Sequence, residues 1–466
     1  MILRITDGTT TIDLVGGTNS ITLAEDYVPS PPEVTETEFT AEALYDGGEL
    51  VAATRRNVTE SVPVTLVASS RTTIFSALNS IETLFEQALT RQTKGVGSRV
   101  YVEYRKADSG DTYRSEILRG TVAPAQDTAE ERWWAAGSVQ AIVAWKRRPY
   151  WEGAEAALTL TNTHGSGSSG ITVYNHDDSG QDNYVAIAAG AVAGGIPSPA
   201  KLSILNSYNV AARLFTVHIG HNVWSNPASL THILEGENSD YSVGGSTVTS
   251  SSCSGGSYES VTWTGDTSVQ AIRWALSTAL LDACAGGWFR LLGRFQVTAS
   301  GAKLTPKVTF PSGTPLTVVG EAQEVTLGSG TLQDLGVLQL PPWLRGESSL
   351  YPVDLTIYAR KTGGGTFGLD YIQLTPLDSY RVLTPRGYGA AYNVTLVDDG
   401  PTGSVYTTGW GSSYKTGHYI PTGGPVMLFP GRAQRLYFLG TNDSSGCEID
   451  RTYTVSVSYR PRRLTL

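Results

Sequence analysis

Residues 452–459 read Thr452-Tyr453-Thr454-Val455-Ser456-Val457-Ser458-Tyr459. Tyr453, Val455, Val457 and Tyr459 fall on one side and Thr452, Thr454, Ser456 and Ser458 on the other, the period of two of a strand with one dry face and one wet face. Upstream stand Pro430-Gly431, the apolar run Leu436-Tyr437-Phe438 and a polar turn; downstream comes Arg460-Pro461-Arg462-Arg463. A chain that closes on so regular a strand is expected to be built mainly of sheet.

Composition agrees. The 51 glycines and 22 prolines are spread without a collagen-like period, and only 17% of residues are charged, so many short strands and frequent turns are expected rather than long exposed helices. At 466 residues the chain exceeds what one core organises, and two or three domains are expected. The formal charge of −9 and the lack of any long Lys/Arg tract argue against specific nucleic-acid binding. Cys253, Cys284 and Cys447 are too few and too scattered for a disulfide framework or a zinc site, and are expected reduced and buried. The start, Met1 to Gly8, lacks the pattern of a secretion signal, and no stretch approaches the roughly eighteen apolar residues of a membrane span. Synthesis in a cytosol and no membrane insertion are the expectations.

Three parts are expected along the chain. In residues 1–152, Ile74, Leu78, Ile81, Leu84, Phe85 and Leu89 recur at three- and four-residue spacing after Ser69-Ser70, predicting one long helix laid against a sheet. Val100, Val102 and Tyr104, a turn at Asp108-Ser109-Gly110-Asp111, a return from Tyr113 to Val122, and Val139, Ala141, Val143 and Trp145 supply that sheet's strands, giving an α+β domain. Residues 153–228 and 378–466 read as one β-sandwich, with strands near Ile171–Tyr174, Tyr184–Ile187, Ala200–Leu205 and Leu214–Ile219. Residues 229–377 read as an inserted β-jelly roll.

Several motifs invite chemistry and are better explained by structure. Gly165 to Gly170 satisfies G-x-G-x-x-G, but a strand, Ile171-Thr172-Val173-Tyr174, follows where a phosphate-binding helix should start, so a flexible turn is expected. His218 and His221, three apart on a strand, point to opposite faces and are expected as sheet histidines. Asp177-Asp178 and Asp398-Asp399 sit beside turn signals and are expected as solvated loop acids, although Asn175, Asp177, Asp178 and Asp182 could form a loose calcium loop. No nucleophile elbow, zinc-protease helix or phosphate loop occurs, and no enzyme activity is expected.

The terminal strand, the Pro430-Gly431 turn and the order of the parts resemble the distal tail protein family of long-tailed bacteriophages. Within the insert, Ile233-Leu234-Glu235-Gly236-Glu237-Asn238, Ser254-Gly255-Gly256-Ser257-Tyr258 and Phe367-Gly368-Leu369-Asp370-Tyr371-Ile372-Gln373-Leu374 are similar to the opening, second and closing strands of β-jelly-roll carbohydrate-binding modules. The first resemblance implies a ring-forming N-terminal domain, a galectin-like sandwich, and a homohexameric hub in the virion tail, assembled in the host cytoplasm. The partners it implies are other copies of the chain, the tail tube and the baseplate hub proteins. Six copies would carry six times the charge of −9, which would discourage DNA from sticking to the ring.

The second resemblance implies that Glu235, Glu237 and Asp370 hold a structural calcium, the alternative being plain surface carboxylates. It also points to Tyr258 and Trp263 as rings for stacking on a host surface glycan; Trp263, Trp274, Trp288 and Trp343 all lie in the insert. A carbohydrate-binding adhesin, or a noncatalytic glycan-binding protein, is the competing reading, and a tail tube protein a further one.

Overall fold

The computed structural model describes residues 1–15, 21–40, 48–68, 70–107, 110–124, 138–177, 181–210, 212–223, 232–284, 286–310, 318–340, 353–410, 413–442 and 446–466. Ser69, Asp108, Ser109, Asp178, residues 229–231 and Trp343, all used in the sequence reading, lie outside the described residues. The protein is mainly β and forms two compact units: residues 1–155 with 194–196 and 460–466, and residues 156–193 with 197–459.

In the first unit the strands run in the order Thr11–Asp13, Ile2–Thr6, Val100–Arg105, Tyr113–Pro124, Ser138–Arg147, Val58–Val67 and Ile21–Leu23. Trp151–Glu152 pairs with both Tyr113–Pro124 and the C-terminal Arg462–Arg463. The helix Arg71–Lys94 is started by the Ser70 side chain, which accepts from Thr73 N, and stopped by Gly95 in the left-handed region at φ 71°. Ile74, Ile81, Leu84, Phe85 and Ala88 pack into one core with Val100, Val102, Ile117, Val139, Val143 and Trp145. Two positions depart from the expected stripe. Leu78 is only half-buried and Leu89 is 39% exposed, because the face turned to the sheet continues through Ala88. The small residue there brings the helix close, and the Phe85 ring lies on Gly120, where a methyl group would come within 2.5 Å of it.

Beneath this core sits a buried ion pair. Arg147 donates to Glu60 through Nε (3.0 Å) and Nη2 (2.8 Å), and Tyr27 Oη, Trp145 Nε1 and Ser30 N complete the carboxylate's partners. One further piece of the unit stands apart. Val34–Thr40 and Gly48–Arg55 pair with each other and, among the described residues, with no other strand.

The second unit contains two pairs of sheets. In the first pair, Thr452–Tyr459 is the central strand: it pairs with Ser198–Asn206, Ile171–Tyr174 and Ala156–Ala157, and its burial alternates as its sequence does. Val455 stands opposite Ile204 and Ile171, and Val457 opposite Leu202, so the branched residues meet on the dry face. Ser198–Asn206 continues the sheet to Thr395–Asp399 and Ser404–Trp410. Facing it is the order Gly165–Gly167, Leu160–Asn162, Tyr184–Ile187, Gln434–Gly440, Val217–Asn222, Ser379–Pro385 and Tyr419–Thr422. Between the sheets lie Leu160, Val173, Ile204, Ile219, Phe438, Tyr453 and Val457.

The glycine-rich segment is not simply a turn: Gly165–Gly167 pairs back on Leu160–Asn162, and the reversal falls at Thr163 and His164. The expectation for Asp398 also fails. It is 1% exposed, on a strand, and held by Arg381 through Nε (2.8 Å) and Nη2 (2.7 Å), while Asp399 caps the turn to Thr402.

The second pair of sheets occupies Ile233 to Pro376. One has the order Ser246–Thr249, Ser257–Trp263, Gly365–Pro376, Trp288–Val297 and Leu332–Gln339, with Ile233–Glu235 also on Gly365–Pro376. The other runs Tyr241–Ser242, Val269–Ala275, Asp354–Arg360, Lys303–Thr309 and Val318–Glu321. A separate core, including Val261, Trp263, Trp274, Leu291, Phe295, Leu355 and Phe367, fills the space between them.

Candidate functional site

The sequence-selected residues of the insert gather at one end of Gly365–Pro376. Ile233–Glu235 pairs with it so that Glu235 stands opposite Tyr371. Gly236 N donates to Asp370 O at 2.6 Å, which carries Glu237 toward the turn at Cys253–Gly256. That turn needs glycine: Gly255 has φ 60°, and a side chain there would meet Glu237 Oε1 at 2.7 Å. Ser254 links the acids, its Oγ donating to Glu235 Oε1 at 2.7 Å and its N to Asp370 Oδ1 at 2.9 Å.

Asp370 is fully buried, and its other oxygen accepts from Arg294 Nη1. Burial pushes its carboxyl up, to about 7, against the lowering influence of Arg294 and of the Ser254 N–H. Among the described residues no group of three or more His, Cys, Asp or Glu side chains is arranged to hold a metal ion. Calcium asks for six to eight oxygens around one point. Here one oxygen of Asp370 accepts from the Arg294 guanidinium and the other from the Ser254 amide.

The two rings selected for stacking do not form a platform. Trp263 is 3% exposed and tilts against Phe367 at 5.8 Å in the core. Tyr258 is half-buried with its ring over Gly368, where a methyl group would come within 2.6 Å. Alternation already places Trp263 on the same face as the buried Val261, a signal that its turn-proximal position in the sequence obscured. Trp274 is also buried, its indole N–H donating to Glu235 O at 2.7 Å.

Trp288 behaves differently, at 51% exposure on the first residue of its strand. It borders a cleft with Asn222, Phe289 and Asp378. Asp378 also lines an adjoining groove of about 540 Å³ with Arg290, Tyr380, Pro425 and Met427. Arg290 lies 5.0 Å over the Tyr380 ring and 3.1 Å from Asp334, and His218 Nδ1 is 2.7 Å from the Tyr380 hydroxyl. Asp378 is shared between the hollow that holds the exposed indole and the one that holds the guanidinium and the pinned phenol, so a flat apolar face and directional polar groups line adjoining hollows. The sequence signal was Gly286-Gly287-Trp288, a tryptophan leaving a turn.

The remaining polar candidates serve the scaffold. His221 contacts Ser379 Oγ and Gln434 Oε1, which places the two histidines in separate surroundings. Asn175 spans the sandwich instead of lining a calcium loop: Nδ2 donates to Gly440 O and Glu448 O, and Oδ1 accepts from Gly440 N and Tyr453 Oη. Asp182 holds Thr163 through its N and Oγ1. The three cysteines are free thiols and buried. No helix among the described residues is long and apolar enough to cross a membrane.

No family model matches the chain, and no curated protein matches it. Among solved structures it is similar to the SPP1 Dit protein, described as a paradigm of the hub adsorption apparatus in phages infecting Gram-positive bacteria, at 9% identity and a TM-score of 0.30 over 99% of each chain. It is also similar to a chain of the phage p2 baseplate in its activated conformation, at 10% identity and a TM-score of 0.27 over 78% of this chain and 98% of that one. A third likeness is to the tandem CBM22 domains of Paenibacillus barcinonensis Xyn10C, at 9% identity and a TM-score of 0.20 over 58% of this chain and 99% of that one. All three TM-scores fall below the level at which two chains share a fold.

Proposed function

We propose that this chain is a structural, noncatalytic protein of a bacteriophage tail tip, forming a hexameric hub ring that joins the tail tube to the baseplate. The observation that carries the assembly reading is the hairpin Val34–Thr40 with Gly48–Arg55, which joins none of the described sheets. A lone two-stranded hairpin is marginal in water, and its outer edges present unpaired backbone groups, so a second copy of the chain is the natural partner. A head-to-tail contact of this kind closes into a ring when its rotation allows. Six as the copy number comes from the resemblance to distal tail proteins.

Chain order supports a hub with attachments. In sequence, all of the second unit falls between Glu155 and Arg460, interrupted by Gly194–Ile196, and the flanking strands Trp151–Glu152 and Arg462–Arg463 pair within the first unit. Ring contacts then belong to the first unit, and the sandwiches are its decorations. A host glycan is the proposed ligand of the decorations, with Trp288 and the groove at Tyr380 taking the place of Tyr258 and Trp263. The same groove favours the second reading, a glycan-binding adhesin.

Native mass spectrometry separates these readings. The hub reading expects six copies of the 49.7 kDa chain, and monomers once residues 34–55 are replaced by a short Gly-Ser linker. A monomeric full chain would leave the adhesin. Hexamers from both proteins would move the ring contact away from the hairpin.

A further inference from the structure

Arg294 is the one charged side chain in Leu291-Leu292-Gly293-Arg294-Phe295, and it is 5% exposed. A charge in so apolar a strand must be neutralised where it lies. Its partner is supplied by an irregularity in the sheet. Arg294 stands opposite Tyr371 and Phe295 opposite Leu369, so Asp370 is the extra residue of a bulge on the closing strand. Bulges re-aim a side chain out of the normal alternation; here the result brings Asp370 to the guanidinium.

All three edges of the guanidinium are used. Nη1 donates to Asp370 Oδ2, Nη2 to Ser252 O at 2.8 Å, and Nε to Cys447 O at 2.7 Å. The acceptors come from the closing strand, from the turn that carries Ser254, and from residues 446–451, the connection that leads into Thr452–Tyr459 of the other pair of sheets in the same unit. They are a carboxylate and two backbone carbonyls, the hard oxygens that a divalent ion would otherwise gather. A planar fork can satisfy such scattered acceptors one by one, where a spherical ion needs them around a common centre.

The surroundings extend the link. Ile233, Leu292 and Tyr371 form an apolar cluster with Leu439, Cys447 and Ile449. Tyr371 Oη donates to Asn175 O at 2.9 Å, and Cys447 N donates to Thr331 Oγ1 at 3.0 Å. Asn175 in turn holds Gly440 at the end of Gln434–Gly440 and Tyr453 on the terminal strand.

We propose that Arg294 stands in for the structural cation that the carbohydrate-module resemblance implies, and that it locks the inserted jelly roll onto the sandwich without any divalent ion. The position of the insert is then insensitive to chelation. This holds whether the protein is a hub or an adhesin, because it depends only on contacts within one chain.

The test uses the full chain. Thermal unfolding in EDTA and in millimolar calcium should coincide for the wild type. Arg294→Gln should melt lower in both, with Arg294→Lys recovering only part of the loss, since one ammonium cannot reach three divergent acceptors. Hydrogen exchange of the wild type and Arg294→Gln reports the lock: amides at 446–449 and 252–254 should exchange faster together in the variant, although the two segments are far apart in sequence. A wild-type melting temperature that rises with calcium and loses that rise in Asp370→Ala would overturn the proposal. Unchanged exchange at 446–449 in Arg294→Gln would overturn the lock, and the wild-type calcium comparison still decides the cation question if Arg294→Gln fails to fold.

Discussion

Glu60→Ala should destabilise the first unit more than any surface change, and the structure sets the size of the effect. The carboxylate accepts from Tyr27 Oη at 2.7 Å, Ser30 N at 2.8 Å, Trp145 Nε1 at 3.1 Å, and Arg147 Nε and Nη2 at 3.0 and 2.8 Å. The Arg147 side chain is 0% exposed, so it cannot turn to water when its partner is removed. Its other donors reach Ser30 O and Arg148 O, and its guanidinium lies 4.4 Å over the Trp151 ring, contacts that hold it in place without neutralising it. Breaking a buried pair from one side costs about 3–5 kcal/mol, or roughly 10 °C in a domain of this size. Hydrogen exchange of the amides of Val58–Val67 and Ser138–Arg147 along a urea series measures it. Replacing both partners, as in Glu60→Met with Arg147→Met, should recover only part of the loss: the uncompensated charge is gone, but Tyr27 Oη, Ser30 N and Trp145 Nε1 still lack their acceptor. A Glu60→Ala chain within about 1 kcal/mol of wild type would refute the reasoning, since it would mean that Arg147 finds solvent or another counter-charge.

Ile81→Asp should cost several kcal/mol whereas Leu78→Asp costs clearly less, because Ile81 is 0% exposed and Leu78 only half-buried; paired melting curves give the order. Acid should weaken the second unit. Burial holds His221 at about 4 and His232 at about 3, below the ordinary 6.5, so from about pH 6.5 down to 4 the unfolded chain binds protons that the folded chain does not. Stability therefore falls as pH drops through that window, by roughly 3 kcal/mol for His221 if its full shift is expressed, with Asp370 working in the opposite sense. Denaturation midpoints in His221→Gln should show a shallower pH dependence. Deleting residues 229–377 with a short linker should leave a native mass of six shortened chains, because the ring contact is assigned to the hairpin at 34–55.

What could be read from sequence followed periodicity. The strand 452–459 and the helix face through Ile74, Ile81, Leu84 and Phe85 announce themselves because burial repeats with the local geometry. Leu89 misled because a leucine outranks an alanine in any apolar pattern, while the sheet lies close enough to accept only Ala88. The site was less legible. Trp263 and Trp288 look alike in composition; alternation with Val261 is the signal that one fills the core, and the preceding Gly286-Gly287 the signal that the other meets solvent. Asp370 and Arg294 lie 76 residues apart and meet through a bulge, which no local pattern encodes. Asp398 read as a turn acid because its partner Arg381, on a strand of the facing sheet, cannot be inferred from the Asp398-Asp399-Gly400 run.

Electron microscopy of the purified full chain tests the hub reading most directly. It predicts uniform rings with sixfold averages and a central opening wide enough to pass duplex DNA. Compact single particles with no opening, at concentrations where a virion component should assemble, would contradict it.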